Sequence, residues 1–175
     1  MAEDNPRRII ERATLADLPP LGAHERAEVG IQLQDTLVEL VDLSLLGKQL
    51  HWSVVGPNFR PLHLQLDEFI DSWRELSDTL AERSVAIGVM PDGQAGTIAA
   101  DSPLAALERG AIEDREVVHA LTRRLAEAVE RIRTRSERLA ELDAVSEDVL
   151  IEVLRALEQQ LWMIRVQHAI PRESD

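Results

Sequence analysis

The sequence predicts an all-α domain: a four-helix bundle with a long crossover between helices 2 and 3. Apolar residues recur at steps of three and four over four long stretches, as in helices that bury one face. Aromatic residues are only 3% of the chain while Leu, Ala and Val dominate, which suits helices better than a β-sandwich. Gly56-Pro57, Pro91-Asp92-Gly93 and Pro171 punctuate the stretches where helices should stop. At 175 residues one domain with a sizeable core is expected.

Residues 1–22 read as a flexible N-terminal tail, with mixed charge followed by Pro19-Pro20 and Gly22. The bundle should occupy 23–168, leaving 169–175 as a short C-terminal tail. The first helix begins near Ala23 and carries Val29, Leu33, Leu37, Leu40, Val41 and Leu45 toward His51. Asn58 suits the N-cap of the second, with Pro61 tolerated in its first turn, and that helix runs to about Ile87. A connection of about 15 residues follows, long for a hairpin and suited to a crossover between parallel neighbours. Ser102-Pro103 reads as the start of the third helix, with Leu104, Leu107, Val118, Leu121, Leu125, Val129 and Ile132 as its stripe. Ser146 opens the fourth, where Glu147 and Asp148 favour the positive helix end. Its stripe is Val149, Val153, Leu157, Leu161 and Ile164, ending before Pro171.

Composition excludes several function classes. With no cysteine there are no disulfides, zinc-thiolate sites or thiol nucleophiles. No apolar run approaches the ~20 residues of a membrane span. Glu3, Asp4, Arg7 and Arg8 stand where a signal peptide would be apolar, so a soluble cytoplasmic protein is expected. The formal net charge of −13 repels nucleic acid and attracts cations.

The chemistry concentrates between Leu50 and Arg83. His51, His63, Asp67, Asp78 and Glu82 are imidazole and carboxylate donors that suit iron, manganese or zinc. At about 100° per residue, His63, Asp67, Asp71, Asp78 and Glu82 fall within about 100° of one another on the second helix. His63 with Asp67, and Asp78 with Glu82, are pairs one turn apart. The pairs lie about 22 Å apart at roughly 1.5 Å per residue, far beyond the ~2 Å of a metal–ligand bond. One helix cannot close such a site; two second helices packed antiparallel about a two-fold axis would bring unlike pairs together. On spacing alone a solvated acidic face with incidental histidines competes with this reading.

The segment His51-Trp52-x-x-x-Gly56-x-x-Phe59-x-x-x-His63-x-x-x-Asp67, followed by Asp78-x-x-x-Glu82-Arg83, closely resembles the signature of the Dps family, ferritin-like DNA-binding proteins from starved cells. The resemblance runs from about Leu33 to His168 and includes Trp162 in the last helix. It implies a ferritin-like bundle in which His51, His63 and Asp67 bind iron from one subunit while Asp78 and Glu82 complete a di-iron centre from its two-fold neighbour. Mn(II) or Zn(II) are substitutes the donor set would take. It further implies a hollow homododecamer acting as a ferroxidase: Fe(II) is oxidised, preferably with hydrogen peroxide, and stored as ferric mineral, protecting against oxidative stress. Trp52 matches the aromatic assigned to absorbing oxidising equivalents, with packing as its alternative role. Lys48 matches a residue near the centre and is otherwise an ion-pairing partner.

Other features carry less. Glu116-x-x-His119 is a Glu-x-x-His unit present once, where di-iron bundles use it twice. His24 and His168 read as surface histidines, with accessory ion binding as the alternative. Glu141, Asp143, Glu147 and Asp148 suit either helix capping or, by resemblance, a three-fold iron-entry pore. Residues 1–22 hold Arg7, Arg8 and Arg12 against four acids, and the C-terminal end holds Arg172 against Glu173 and Asp175. Neither is a basic arm, so DNA binding is expected to be weak or absent. A nucleoid-associated, DNA-compacting shell with secondary iron oxidation is the alternative function.

Overall fold

The computed structural model describes residues 18–168. Most of both expected tails, residues 1–17 and 169–175, lies outside the described residues. Helix α1 spans Ala23–Ser53, α2 Phe59–Ala86, a short α3 Ala95–Asp101, α4 Asp114–Leu139 and α5 Ala144–Arg165, and a 3-10 turn, Val166–His168, closes the described chain. Two-residue strands β1 (Val54–Val55) and β2 (Ile112–Glu113) pair in parallel, Val54 with Ile112 and Val55 with Glu113.

The long helices form the expected ferritin-like four-helix bundle. α1 packs along α2 and α4 along α5, with α1 also against α4 and α2 against α5. Because β1 leaves α1 beside β2 entering α4, α4 starts where α2 starts and runs in the same direction. The crossover therefore joins two parallel helices. The core is one continuous cluster that includes Leu33, Leu40, Leu50, Leu66, Trp73, Leu125, Ile132, Val153 and Leu157. The α1–α2 seam is tight at Gly47. A Cβ there would lie 2.7 Å from Trp73 Cζ3 and 2.8 Å from Ile70 Cγ1. Trp73 is fully buried and donates its indole N–H to Gln160 Oε1 at 2.7 Å, tying α2 to α5.

Two boundaries differ from the sequence reading. The third long helix begins at Asp114, not at Ser102-Pro103, so the crossover covers residues 87–113, far longer than expected, and holds α3. Ser102 caps the end of α3; its hydroxyl bonds Asp42 and accepts from Leu104 N–H. Leu104 and Leu107 still pack on the core, from irregular chain held by Arg124 donating to the Ala105 and Ala106 carbonyls. The last long helix is capped by Asp143, whose carboxylate accepts from Ser146 N–H at 3.2 Å, so Ser146 sits in the first turn rather than opening the helix. Asn58 holds the N-cap position of α2 but makes no side-chain cap.

Candidate metal centre

His51 lies in the last turn of α1 and His63 in the second turn of α2. The tight α1–α2 turn brings them face to face, with ring centroids 3.6 Å apart and planes 23° from parallel. Each Nδ1 meets the other residue's main-chain carbonyl: His51 Nδ1 at 3.1 Å from His63 O, and His63 Nδ1 at 3.0 Å from His51 O. A carbonyl only accepts, so both Nδ1 atoms carry hydrogen, which leaves Nε2 as the ring nitrogen each histidine can offer a metal. Metal-binding histidines are held in this way, one nitrogen fixed by an acceptor and the other free to ligate.

Asp67 completes the cluster from the next turn of α2. His51, His63 and Asp67 each offer a ligand atom, all within 4.8 Å of one another. His51 is buried, the other two half-buried. Phe59 tilts against His63 with centroids 4.9 Å apart. Lys48, one turn before His51, donates to Asp67 Oδ1 at 2.5 Å, and His51 Nδ1 lies 3.3 Å from the same oxygen. The Lys48 hydrogen bond first of all, opposed by desolvation and helped by the charges of His51, Lys48 and His63, holds the Asp67 carboxyl below the usual carboxylate range. Lys48 is thus an ion-pairing partner. A donor set of two imidazoles and an anionic carboxylate fits Fe(II), Mn(II) or Zn(II).

Asp78 and Glu82 are not brought to this cluster within the chain. Both are exposed on α2, one turn apart and about 22 Å along the helix from His63 and Asp67. Beside Glu82, Arg83 donates to Ser146 Oγ at 2.9 Å and to Asp143 Oδ2 at 2.5 Å, locking the end of α2 to the start of α5. Asp143 is therefore engaged within the chain, whereas Glu141 and Asp148 are exposed and Glu147 half-buried. Trp52 is 71% exposed next to His51. Glu116, His119 and His24 are exposed and outside the cluster, which is the one such group among the described residues.

Sequence reasoning missed Asp114. The first residue of α4, it is buried, and its Oδ2 accepts from Asn58 N–H at 2.8 Å across the α1–α2 turn. No local signal in the sequence marks it, because the contact spans 56 positions.

Comparison with known proteins agrees with this architecture. Residues 31–171 match the ferritin-like domain family, the class that the fold and the site define. The chain is 33% identical over 150 residues to a DNA protection during starvation protein of Mycolicibacterium smegmatis, covering 85% of this chain and 81% of that protein. It is 32% identical over 148 residues to DNA protection during starvation protein 2 of Deinococcus radiodurans, and there the match spans 61% of the relative's length. A solved structure of Mycobacterium smegmatis Dps superposes with a TM-score of 0.85 at 30% identity, covering 90% of this chain and 95% of that one. The chain belongs to the Dps family of ferritin-like proteins. Among the described residues, no helix is long and apolar enough to cross a membrane.

Proposed function

We propose that the protein is a Dps-type ferroxidase and iron store, acting in the cytoplasm against oxidative stress. The observation that carries this reading is the His51–His63–Asp67 cluster, whose imidazoles each keep Nε2 free. Fe(II) is the substrate. Asp78 and Glu82 from a two-fold copy complete the site, two irons to each centre, in a homododecameric shell. Anionic oxygen donors stabilise the ferric product, so they make Fe(II) easier to oxidise. A pair of Fe(II) ions gives one electron each to hydrogen peroxide; its O–O bond breaks, and with two protons it leaves as water rather than as hydroxyl radical. Lys48 holds Asp67 ionised until a metal takes its place. Trp52, exposed beside the cluster, suits interception of stray oxidising equivalents.

Stopped-flow oxidation of Fe(II) by peroxide tests the assignment. Asp78→Asn with Glu82→Gln should remove the fast phase as fully as His63→Ala does. Unchanged rates in the acidic double variant would refute a shared centre. The relatives' names speak of DNA protection, which favours a second reading as a DNA-compacting shell; the charge of −13 opposes it. A gel shift at low and at physiological salt separates the two, since weak electrostatic binding should vanish at the higher salt.

A further inference from the structure

We infer that Asp114 is a positioning residue for the metal centre: with the parallel pairing beside it, its buried carboxylate fixes the α1–α2 turn and so the register in which His51 and His63 face each other. This rests on reading those histidines as ligands.

The turn from Val54 to Asn58 is the only covalent link between α1 and α2 at this end of the bundle, and the segment entering α4 grips it along its length. Val54 pairs with Ile112 and Val55 with Glu113. Gly56 has φ +124°, a conformation glycine adopts freely, and a Cβ there would lie 3.0 Å from both Asp114 Cγ and Oδ2. Asn58, at the N-cap position of α2, donates its N–H to Asp114 Oδ2 at 2.8 Å while its own side chain makes no cap. Asp114 thus caps α2 from a different helix, doing what an acidic side chain three positions into α2 would do in a capping box. A carboxylate only 6% exposed is costly unless bonded. Here it lies at the positive ends of α2 and of its own helix, where an anion is stabilised.

The histidine pair is sensitive to what this grip holds. His51 lies three residues before Val54 and His63 five after Asn58. The reciprocal bonds of 3.1 and 3.0 Å join opposite sides of the turn, so a slip of about 1 Å between the helices breaks both. Once those bonds break, the imidazoles lose the tautomer and orientation that present Nε2. Losing a partner that orients metal ligands costs 10–100-fold in affinity, and Asp114, acting through the turn, belongs at the lower end.

The test is Co(II) binding to the full chain, read from the visible d–d bands, with thermal melting recorded alongside. Asp114→Ala should bind about tenfold more weakly with altered band intensities. Asp114→Asn, which keeps an acceptor for Asn58 N–H, should recover most of that affinity. Gly56→Ala, which drives a methyl against the carboxylate, is the second variant should Asp114→Ala fail to fold, and it should show a similar loss. Val153→Ala, a fully buried site in α5 away from the turn, is the control for lost stability and should bind Co(II) as wild type does. Wild-type affinity in the Asp114→Ala and Gly56→Ala variants, or an equal loss in Val153→Ala, overturns the inference. His63→Ala distinguishes the deeper failure: if it too leaves Co(II) binding unchanged, the ligand assignment falls.

Discussion

Gly47→Ala isolates how tightly α1 and α2 must approach to bring the histidines together. The added methyl would meet Trp73 Cζ3 at 2.7 Å and Ile70 Cγ1 at 2.8 Å, closer than real Cβ atoms pack. Both neighbours are fully buried, and Trp73 cannot retreat without giving up its 2.7 Å bond to Gln160. Overpacking a filled core costs about 1–3 kcal/mol, and the rigid ring places this site toward the top of that range. Replacing a helical glycine by alanine returns up to about 1 kcal/mol of propensity. The net loss should be about 2 kcal/mol, which for a chain of this size lowers the melting temperature by about 4–8 °C. Urea titration and thermal melting measure it. In a Trp73→Phe background, where the smaller ring leaves room, the Gly47→Ala penalty should shrink, a coupling that a double-mutant cycle reads directly. A Gly47→Ala protein as stable as wild type, or a penalty unchanged by Trp73→Phe, would refute the reasoning.

The clamp at the far end of α2 has a pH signature. Burial alone would raise the Asp143 carboxyl, but hydrogen bonds from Ser146 and Arg83 and the Arg83 charge outweigh it and hold it low. A depressed folded-state value means the stabilisation is full above the unfolded value of about 3.9 and is lost as pH falls through the folded one. With both side chains largely buried, Arg83→Ala should cost about 2 kcal/mol at neutral pH, between surface and buried pairs. That difference should shrink below about pH 4 in acid-titrated melts; a pH-independent difference would reject the ion pair as its cause. Glu39 is fully buried between Arg131 and Arg135, with Arg135 Nη1 at 2.8 Å from Oε2 and Arg131 Nε at 2.9 Å from Oε1. Glu39→Ala leaves two guanidinium groups unpaired and should cost about 3–5 kcal/mol in urea unfolding, whereas a loss under about 1 kcal/mol would place those arginines in water.

What could be read from the sequence was what its local patterns encode. The 3.6-residue periodicity placed four helices, and the first two helices have the expected extents because Gly56-Pro57 stops the first and the stretch carrying Pro91-Asp92-Gly93 follows the second. The third start was misplaced because Ser102-Pro103 imitates a capped helix while its hydroxyl is engaged by Asp42 and Leu104. Leu104 and Leu107 completed the illusion: a loop pinned on the core by Arg124 buries leucines as a helix stripe would. The histidine–carboxylate spacing was visible as a pattern and Lys48 as an ion-pairing residue, but its partner, Asp67, lies 19 positions on in the facing helix and only the fold brings the two together. The β1–β2 pairing and the Asp114 cap were not, since two paired residues and a single long-range carboxylate leave no periodic trace.

Of the acids on α2, Asp67 and the Asp78–Glu82 pair differ in what the folded chain does for them, as the proposed shared centre would require. Asp67 is paired with Lys48 and flanked by two imidazoles, so its charge is compensated in the single chain. Asp78 and Glu82 have no ion pair or hydrogen bond among the described residues, and both face solvent. Two carboxylates one turn apart on a helix repel mildly, a cost that a bound cation would reverse. On α1, Trp52 is 71% and Leu45 57% exposed, seven residues apart, and Leu64 on α2 is 48% exposed. Exposed apolar side chains of this size would gain by being covered in the proposed assembly. A second copy docked there antiparallel would cover them and bring its own Asp78 and Glu82 toward His51, His63 and Asp67. In the proposed shared centre, the His51–His63–Asp67 side would be compensated within one chain, and the Asp78–Glu82 side would gain its compensation from the cation and the partner copy.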